Sequence, residues 1–396
     1  MAAVFTILNI KDDLKGITHS TSLDKITNFN SVLQRAARNL LSKIDPVETK
    51  RISQITNALH DDVYDYSAPA DLKGNKVLDI RPQVNRAVSD NMSQRFSKSF
   101  DLHKKLNTFQ VRDDGMVKSI RISADLARSI SLHDCNGITS NGTWAVGGDA
   151  TNLTADNLNY ISGSSSLNFD LTGSATTGYI ENSTMSAVNL TDQQDIGTIF
   201  ARVYLPDTSI ITNWILRWGS TSSAYWSTTV TTPWNRTSWQ TGWNILAFNW
   251  NGATPTGSPD ASGIDYLRLT VTVSAATAET DIRVDKIASS AGEIWEMEYY
   301  SKYLFQTSAG AWKETTNSDT DLVNLDTDAL NIFEFECGLA VAQQLQGKDG
   351  TFDVQYFKDE LYGDGRLKIG LYWKYEQDHP SEFIRPRENY YDTSVY

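Results

Sequence analysis

Between residues 131 and 310 the chain carries 76 Ser, Thr, Asn and Gly among 180 residues, with only 7 Lys plus Arg. Short apolar runs punctuate this polar background. Such a stretch suits short strands joined by turns. Nine segments read as strands: Leu167–Leu171, Tyr179–Asn182, Thr198–Leu205, Trp214–Trp218, Ala224–Val230, Trp243–Trp250, Tyr266–Val273, Ile282–Ile287 and Ile294–Phe305. Asn251-Gly252 and the Thr254–Gly263 loop supply turns between them. Antiparallel strands at this spacing predict a β-sandwich or jelly roll.

The flanking segments differ in kind. Residues 1–130 carry a net charge of +5, while 131–310 and 311–396 each carry -9, within a whole-chain value of -13. An acidic chain is not a nucleic-acid binder that is basic all over. From Leu23 to Ile44 apolar residues recur at helical spacing, with Ser22 as the expected cap. Asp45-Pro46-Val47-Glu48 reads as a second helix start, continued by Ile52, Ile55 and Leu59, so an antiparallel helical hairpin is expected. Thr108–Arg112 and Val117–Ser123 flank Asp113-Asp114-Gly115 and predict a β-hairpin. Toward the C-terminus, Thr327 is the expected cap of a helix with Leu330, Phe333, Cys337 and Ala340/Val341. A further helix around Phe352–Tyr362 ends at Gly363-Asp364-Gly365, and Leu367–Tyr375 follows as helix or strand.

The expected fold class is thus α+β and multidomain. A helical platform made of both chain ends, 1–130 and 311–396, is interrupted by an antiparallel β-sandwich at 131–310. Three domains in series are the alternative. The two cysteines, Cys135 and Cys337, give neither a disulfide scaffold nor a Cys-rich zinc module. Residues 1–13 lack a basic stretch ahead of a secretory apolar run, and no segment reaches the ~18 apolar residues that cross a bilayer. Synthesis in a reducing cytoplasm, without membrane contact, is expected. The six Asn-x-Ser/Thr sequons then reflect composition.

Seven of the eleven tryptophans fall between Trp214 and Trp250. Aromatic faces bind sugar rings and dominate protein interfaces, but they also fill cores. Trp214, Trp218, Trp243 and Trp250 lie in apolar strand patterns and read as core. Trp226, Trp234 and Trp239 lie among Ser, Thr, Pro and Asn, so a glycan- or partner-binding role stands beside a core role. Arg236, between the last two, adds a donor or a cation–π contact. Glu293, Glu296 and Glu298 suggest the paired carboxylates of a glycoside hydrolase and loosely resemble the laminarinase-type motif. Trp295 stands where that motif has Asp, and Glu293 and Glu298 would point to opposite faces of a strand. A solvated strand face is the simpler reading. The five histidines are scattered, no phosphate loop or EF-hand pattern appears, and Asp260, Asp265, Asp281 and Asp285 are weak calcium candidates. No catalytic residue, cofactor or metal is expected.

Arg35, Arg38, Lys43, Lys50 and Arg51 give the N-terminal helices a basic face, for solvent, an acidic partner or DNA in a channel. From His379 onward the chain lacks periodicity yet carries Phe383, Ile384, Arg385, Tyr390, Tyr391 and Tyr396. Large groups on an extended arm suggest docking into another subunit, or packing across the chain's own platform. With the helical hairpin, the Cys337-Gly338-Leu339-Ala340 helix and this arm, the chain ends resemble the head-to-tail connector (adaptor, neck) proteins of tailed bacteriophages. The resemblance implies a homo-oligomeric ring of about twelve copies in the virion, with the arm docked in the portal protein. Gly163-Ser164-Ser165-Ser166-Leu167 and Ile282–Ile287 resemble parts of carbohydrate-binding, concanavalin-like jelly rolls. They imply an outward sandwich that meets host glycans, fibres or other neck and tail proteins. A tail or baseplate receptor- or glycan-binding protein is the alternative.

Overall fold

The computed structural model describes residues 5–18, 23, 26, 28–61, 63–82, 109–113, 118–122, 129–345, 353–365 and 369–379. The fold is β-rich, with five α-helices among the described residues. Contacts divide the chain into two units. One comprises Met1–Ile55, Ala68–Asn107 and Glu296–Tyr396; the other comprises Thr56–Ser67 and Thr108–Trp295.

The second unit is an antiparallel sandwich. Its first sheet runs Gly242–Asn249, Thr198–Leu205, Ala278–Ser290, Ser166–Thr172, Ala150–Asp156, with Ile130–His133 also paired to Ala278–Ser290. The second runs Thr254–Thr256, Ala224–Val230, Ile211–Thr221, Tyr266–Val273, Thr177–Asn182, Trp144–Gly148. Alternation along each strand sends one set of side chains between the sheets. There Trp214, Trp218, Trp250, Phe169 and Phe248 are at most 1% exposed. The 109–122 hairpin forms as Phe109–Asp113 paired with Lys118–Ile122, and Asp65–Ser67 adds a third strand. Buried Asp149 ties down one loop: its carboxylate accepts from the Thr172 hydroxyl and from the amides of Gly173, Ser174 and Ala175.

The first unit holds the helices: α1 (Ile7–Ile17), α2 (Phe29–Lys43), α3 (Thr327–Leu345), α4 (Val354–Tyr362) and α5 (Leu371–Asp378). Helix α3 is central and touches the other four. Gly338 lets α4 approach closely, since a Cβ there would overlap the Phe357 ring. Several expectations are corrected here. Helix α2 begins at Phe29, not near Leu23, because the Asn28 side chain accepts from the Ser31 amide and caps it. Ser22 lies outside the described residues. The cap of α3 is Asp326, whose Oδ1 accepts from the Ala329 amide at 2.7 Å, and not Thr327. Helix α1 was not anticipated; a capping box between Thr6 and Asn9 starts it.

The expected helical hairpin is not formed. After Pro46 there is only a 3-10 turn, Val47–Thr49, and then a strand, Lys50–Gln54. The β-branched residues Thr49, Ile52, Ile55 and Thr56 disfavour a helix. Pairing with Trp295–Ser301, in register Glu298 to Ile52 and Tyr300 to Lys50, satisfies the backbone instead. Leu72–Pro82 pairs with the other edge of Trp295–Ser301. Across this sheet Arg81 reaches Glu296 at 2.7 Å and Glu298 at 3.4 Å, and Lys50 reaches Glu298 at 3.5 Å. The basic face of the sequence reading is therefore largely engaged inside this unit. Lys43 pairs with Glu336, Arg35 donates to Gln343, and Arg51 stacks 3.3 Å over Trp312. Arg38 is exposed.

Candidate functional site

Strand pairing decides which side chains share the outer face of the second sheet. In Ile211–Thr221, Trp214, Leu216 and Trp218 enter the core, so Ile215 and Arg217 take the opposite face. Leu267, Leu269 and Val271 point inward, leaving Tyr266, Arg268 and Thr270 outside. By the same alternation Ile180 places Tyr179 and Glu181 outside, and Trp226 places Tyr225 and Ser227 outside. The register then sets Glu181 opposite Arg268, Arg268 opposite Arg217, and Arg217 opposite Ser227. Two residues along, Gly219 stands between Tyr225 and Tyr266, whose rings lie 6.2 Å apart.

The Arg217 guanidinium sits 4.7 Å over the Tyr225 ring, and that of Arg268 sits 3.3 Å over Tyr179. Gly147 makes room for Tyr179, because a Cβ there would overlap the ring. Tyr266, only 1% exposed, forms the floor. Its hydroxyl donates to Glu181 Oε2 at 3.5 Å. Burial, then the Glu181 charge, pushes that hydroxyl up from its ordinary pKa, so it stays a donor. Tyr179, Tyr225, Arg217, Arg268 and Glu181 are half-buried. The face thus offers aromatic rings bordered by guanidinium donors and one carboxylate acceptor.

None of these residues was singled out from the sequence. Of those that were, Trp226 is corrected: it lies in the core, 7% exposed, with its ring 5.0 Å from Trp250. Its polar neighbours Tyr225 and Ser227 belong to the opposite face of the same strand. Trp243, expected in the core, instead stands on the outer face of the first sheet, 5.6 Å from the Tyr204 ring. Its strand turns Leu246 and Phe248 inward. Trp239 is half-buried against the sandwich core.

Trp234 and Arg236 do come together, on a cleft of about 500 Å³ that Asn57, Thr231, Asn235 and Asn249 also line. There the Trp234 ring is held edge-on by Phe200 at 5.3 Å, His60 at 5.9 Å and Tyr66 at 6.2 Å. Burial pushes His60 down to about 4, so it packs as a neutral ring. Asn235 ties this loop to Asn57 and to the Asp65 carbonyl. Trp234 therefore fastens the 57–66 segment to the sandwich, and Arg236 is exposed at the cleft rim. Glu293 accepts from the Trp295 indole at 3.3 Å. Asp285 accepts from the amides of Ile161 and Ser162 and so fixes that loop. Among the described residues no group of three or more His, Cys, Asp or Glu side chains is placed to hold a metal ion. Phe383, Ile384, Arg385, Tyr390, Tyr391 and Tyr396 lie outside the described residues.

No protein-family model and no curated protein matches the chain. Among solved structures it is similar to a family 30 carbohydrate-binding module, with 10% identity over 42% of this chain and 88% of that one, at a TM-score of 0.32. It is similar to the family 11 module of Clostridium thermocellum in complex with a β-1,3-1,4-mixed-linked tetrasaccharide, with 13% identity over 42% and 98% of the chains, TM-score 0.30. A family 30 module of a cellulosomal cellulase of the same organism gives 11% identity over 41% and 97%, TM-score 0.30.

Proposed function

We propose that this is a non-catalytic glycan-binding protein whose platform is the outer face of the second sheet. One observation carries the reading: strand register gathers Tyr179, Tyr225 and Tyr266 with Arg217, Arg268 and Glu181 on a single face. The half-buried rings of Tyr179 and Tyr225, with Tyr266 packed beneath, take the apolar C–H faces of a sugar, while guanidinium and carboxylate groups meet its hydroxyls. Strands hold the constellation more rigidly than loops would, which lowers the entropy lost on binding. Titration of the full chain against a glycan array is expected to give at least one ligand. Tyr225→Ala is expected to weaken that ligand about tenfold, a loss of ~1.4 kcal/mol. An array silent for the folded chain overturns the reading.

Within the same proposal the helical unit attaches the sandwich to a phage particle, as part of a tail or baseplate protein or of a connector ring at the neck. Its support is the sequence resemblance of the Cys337-Gly338-Leu339-Ala340 helix. Mass photometry of the purified chain is expected to show a closed oligomer, a trimer or a ring of about twelve; a monomer at micromolar concentration overturns it.

A further inference from the structure

We infer that the sugar taken by this face is acidic, its carboxylate or sulfate groups met by Arg217 and Arg268; the inference rests on the glycan-binding reading of the same face. The two arginines stand directly opposite each other on neighbouring strands. At that position Cβ atoms are about 4.5–5.5 Å apart, and like charges there are destabilising. Neither arginine forms an ion pair among the described residues; each lies over a tyrosine ring instead. Arg268 Nε is buried and has no acceptor among the described residues. In the first sheet Arg283 also lies over a tyrosine ring, Tyr204, but pairs with Asp156 at 2.6 Å and with Asp281 at 3.4 Å.

Carboxylates are not scarce in this part of the chain, where residues 131–310 hold 16 acidic against 7 basic residues. Even so, only Glu181 adjoins the pair in register, on the far side of Arg268, and it accepts from the Tyr266 hydroxyl. The two arginines thus lack a carboxylate partner among the described residues, and their guanidinium groups flank the face from either side, one over Tyr225 and one over Tyr179. Stacking on a ring keeps a guanidinium planar and oriented, leaving its N–H edge for the oxygens of one carboxylate or sulfate. The tyrosine rings beside it supply the apolar surface for the sugar that carries the anion.

The test uses the full chain in affinity electrophoresis and calorimetry. The probes are polygalacturonate, chondroitin sulfate and the neutral mixed-linkage β-glucan lichenan. An acidic polymer is expected to bind at least tenfold tighter than lichenan and to weaken as salt is raised. The polygalacturonate and chondroitin arms tell a carboxylate from a sulfate. Arg217→Gln and Arg268→Gln are each expected to lose tenfold or more in affinity while leaving the melting temperature unchanged or raised, because each removes one of two opposed charges. Acidic-polymer binding that survives the double variant overturns the inference, since it then arises elsewhere. Equal binding of lichenan by wild type and both variants also overturns it, and leaves the glycan-binding reading standing. Failure to bind any of the three polymers, with an array equally silent, overturns both.

Discussion

Replacing Trp218 with alanine is expected to destabilise the sandwich by about 3–5 kcal/mol. The indole is fully buried and meets Trp250 edge-on, with centroids 5.6 Å apart at 83°. Trp226 meets Trp250 in turn at 5.0 Å. Truncation would empty the volume of one ring and leave the other two facing a void, so lost transfer energy and a cavity term add. The thermal midpoint of the sandwich is expected to fall by roughly 10 °C. Trp218→Phe should retain most of the stability. The indole N–H has no acceptor among the described residues, so its removal forfeits no hydrogen bond there. Denaturation followed by near-ultraviolet circular dichroism checks both variants. An alanine variant within about 1 °C of wild type would contradict the packing described.

Glu336→Ala is expected to destabilise the helical unit by about 3 kcal/mol, because it strands several donors at once. The carboxylate is 1% exposed at the centre of α3. Its Oε1 accepts from the hydroxyls of Tyr362 and Tyr372, each at 2.9 Å, and from Lys43 at 3.2 Å; its Oε2 accepts from Asn39 at 3.0 Å. These donors come from α2, α4 and α5, so one side chain holds three helices to the fourth. Lys43 can turn toward water, but Tyr372, only 7% exposed, has less access to it. Burial, then the Glu336 charge, pushes the Tyr372 hydroxyl far up, which keeps it a donor to this carboxylate. Glu336→Gln preserves one acceptor oxygen and should cost about half as much. Urea midpoints read by far-ultraviolet circular dichroism test the order wild type, Gln, Ala; equal midpoints for all three would refute the hub.

Strands in this chain were far more legible than helices or sites. Thr198–Leu205, Ala224–Val230 and Tyr266–Val273 are strands at the expected residues, because alternating apolar residues between turn-formers are a local signal. Asp45–Leu59 misled, because a proline and a well-placed glutamate are also local signals, and pairing with Trp295–Ser301 overrode them. The clustered tryptophans mark the sandwich core more than a binding surface. Trp226 sits among polar residues in sequence, yet those neighbours face away from it in space.

The residues themselves determined that the middle of the chain would be an antiparallel sandwich, since composition and period-two patterning act within a few residues. They also fixed which segments around Phe333 and Phe357 would be helical. Only the tertiary structure decided that Arg217 stands beside Arg268, with Tyr179, Tyr225 and Tyr266 around them. Those residues lie on four strands whose order in the sheet is not their order in the chain. Register across strands is set by hydrogen bonds and core packing between distant segments, and no local pattern encodes it.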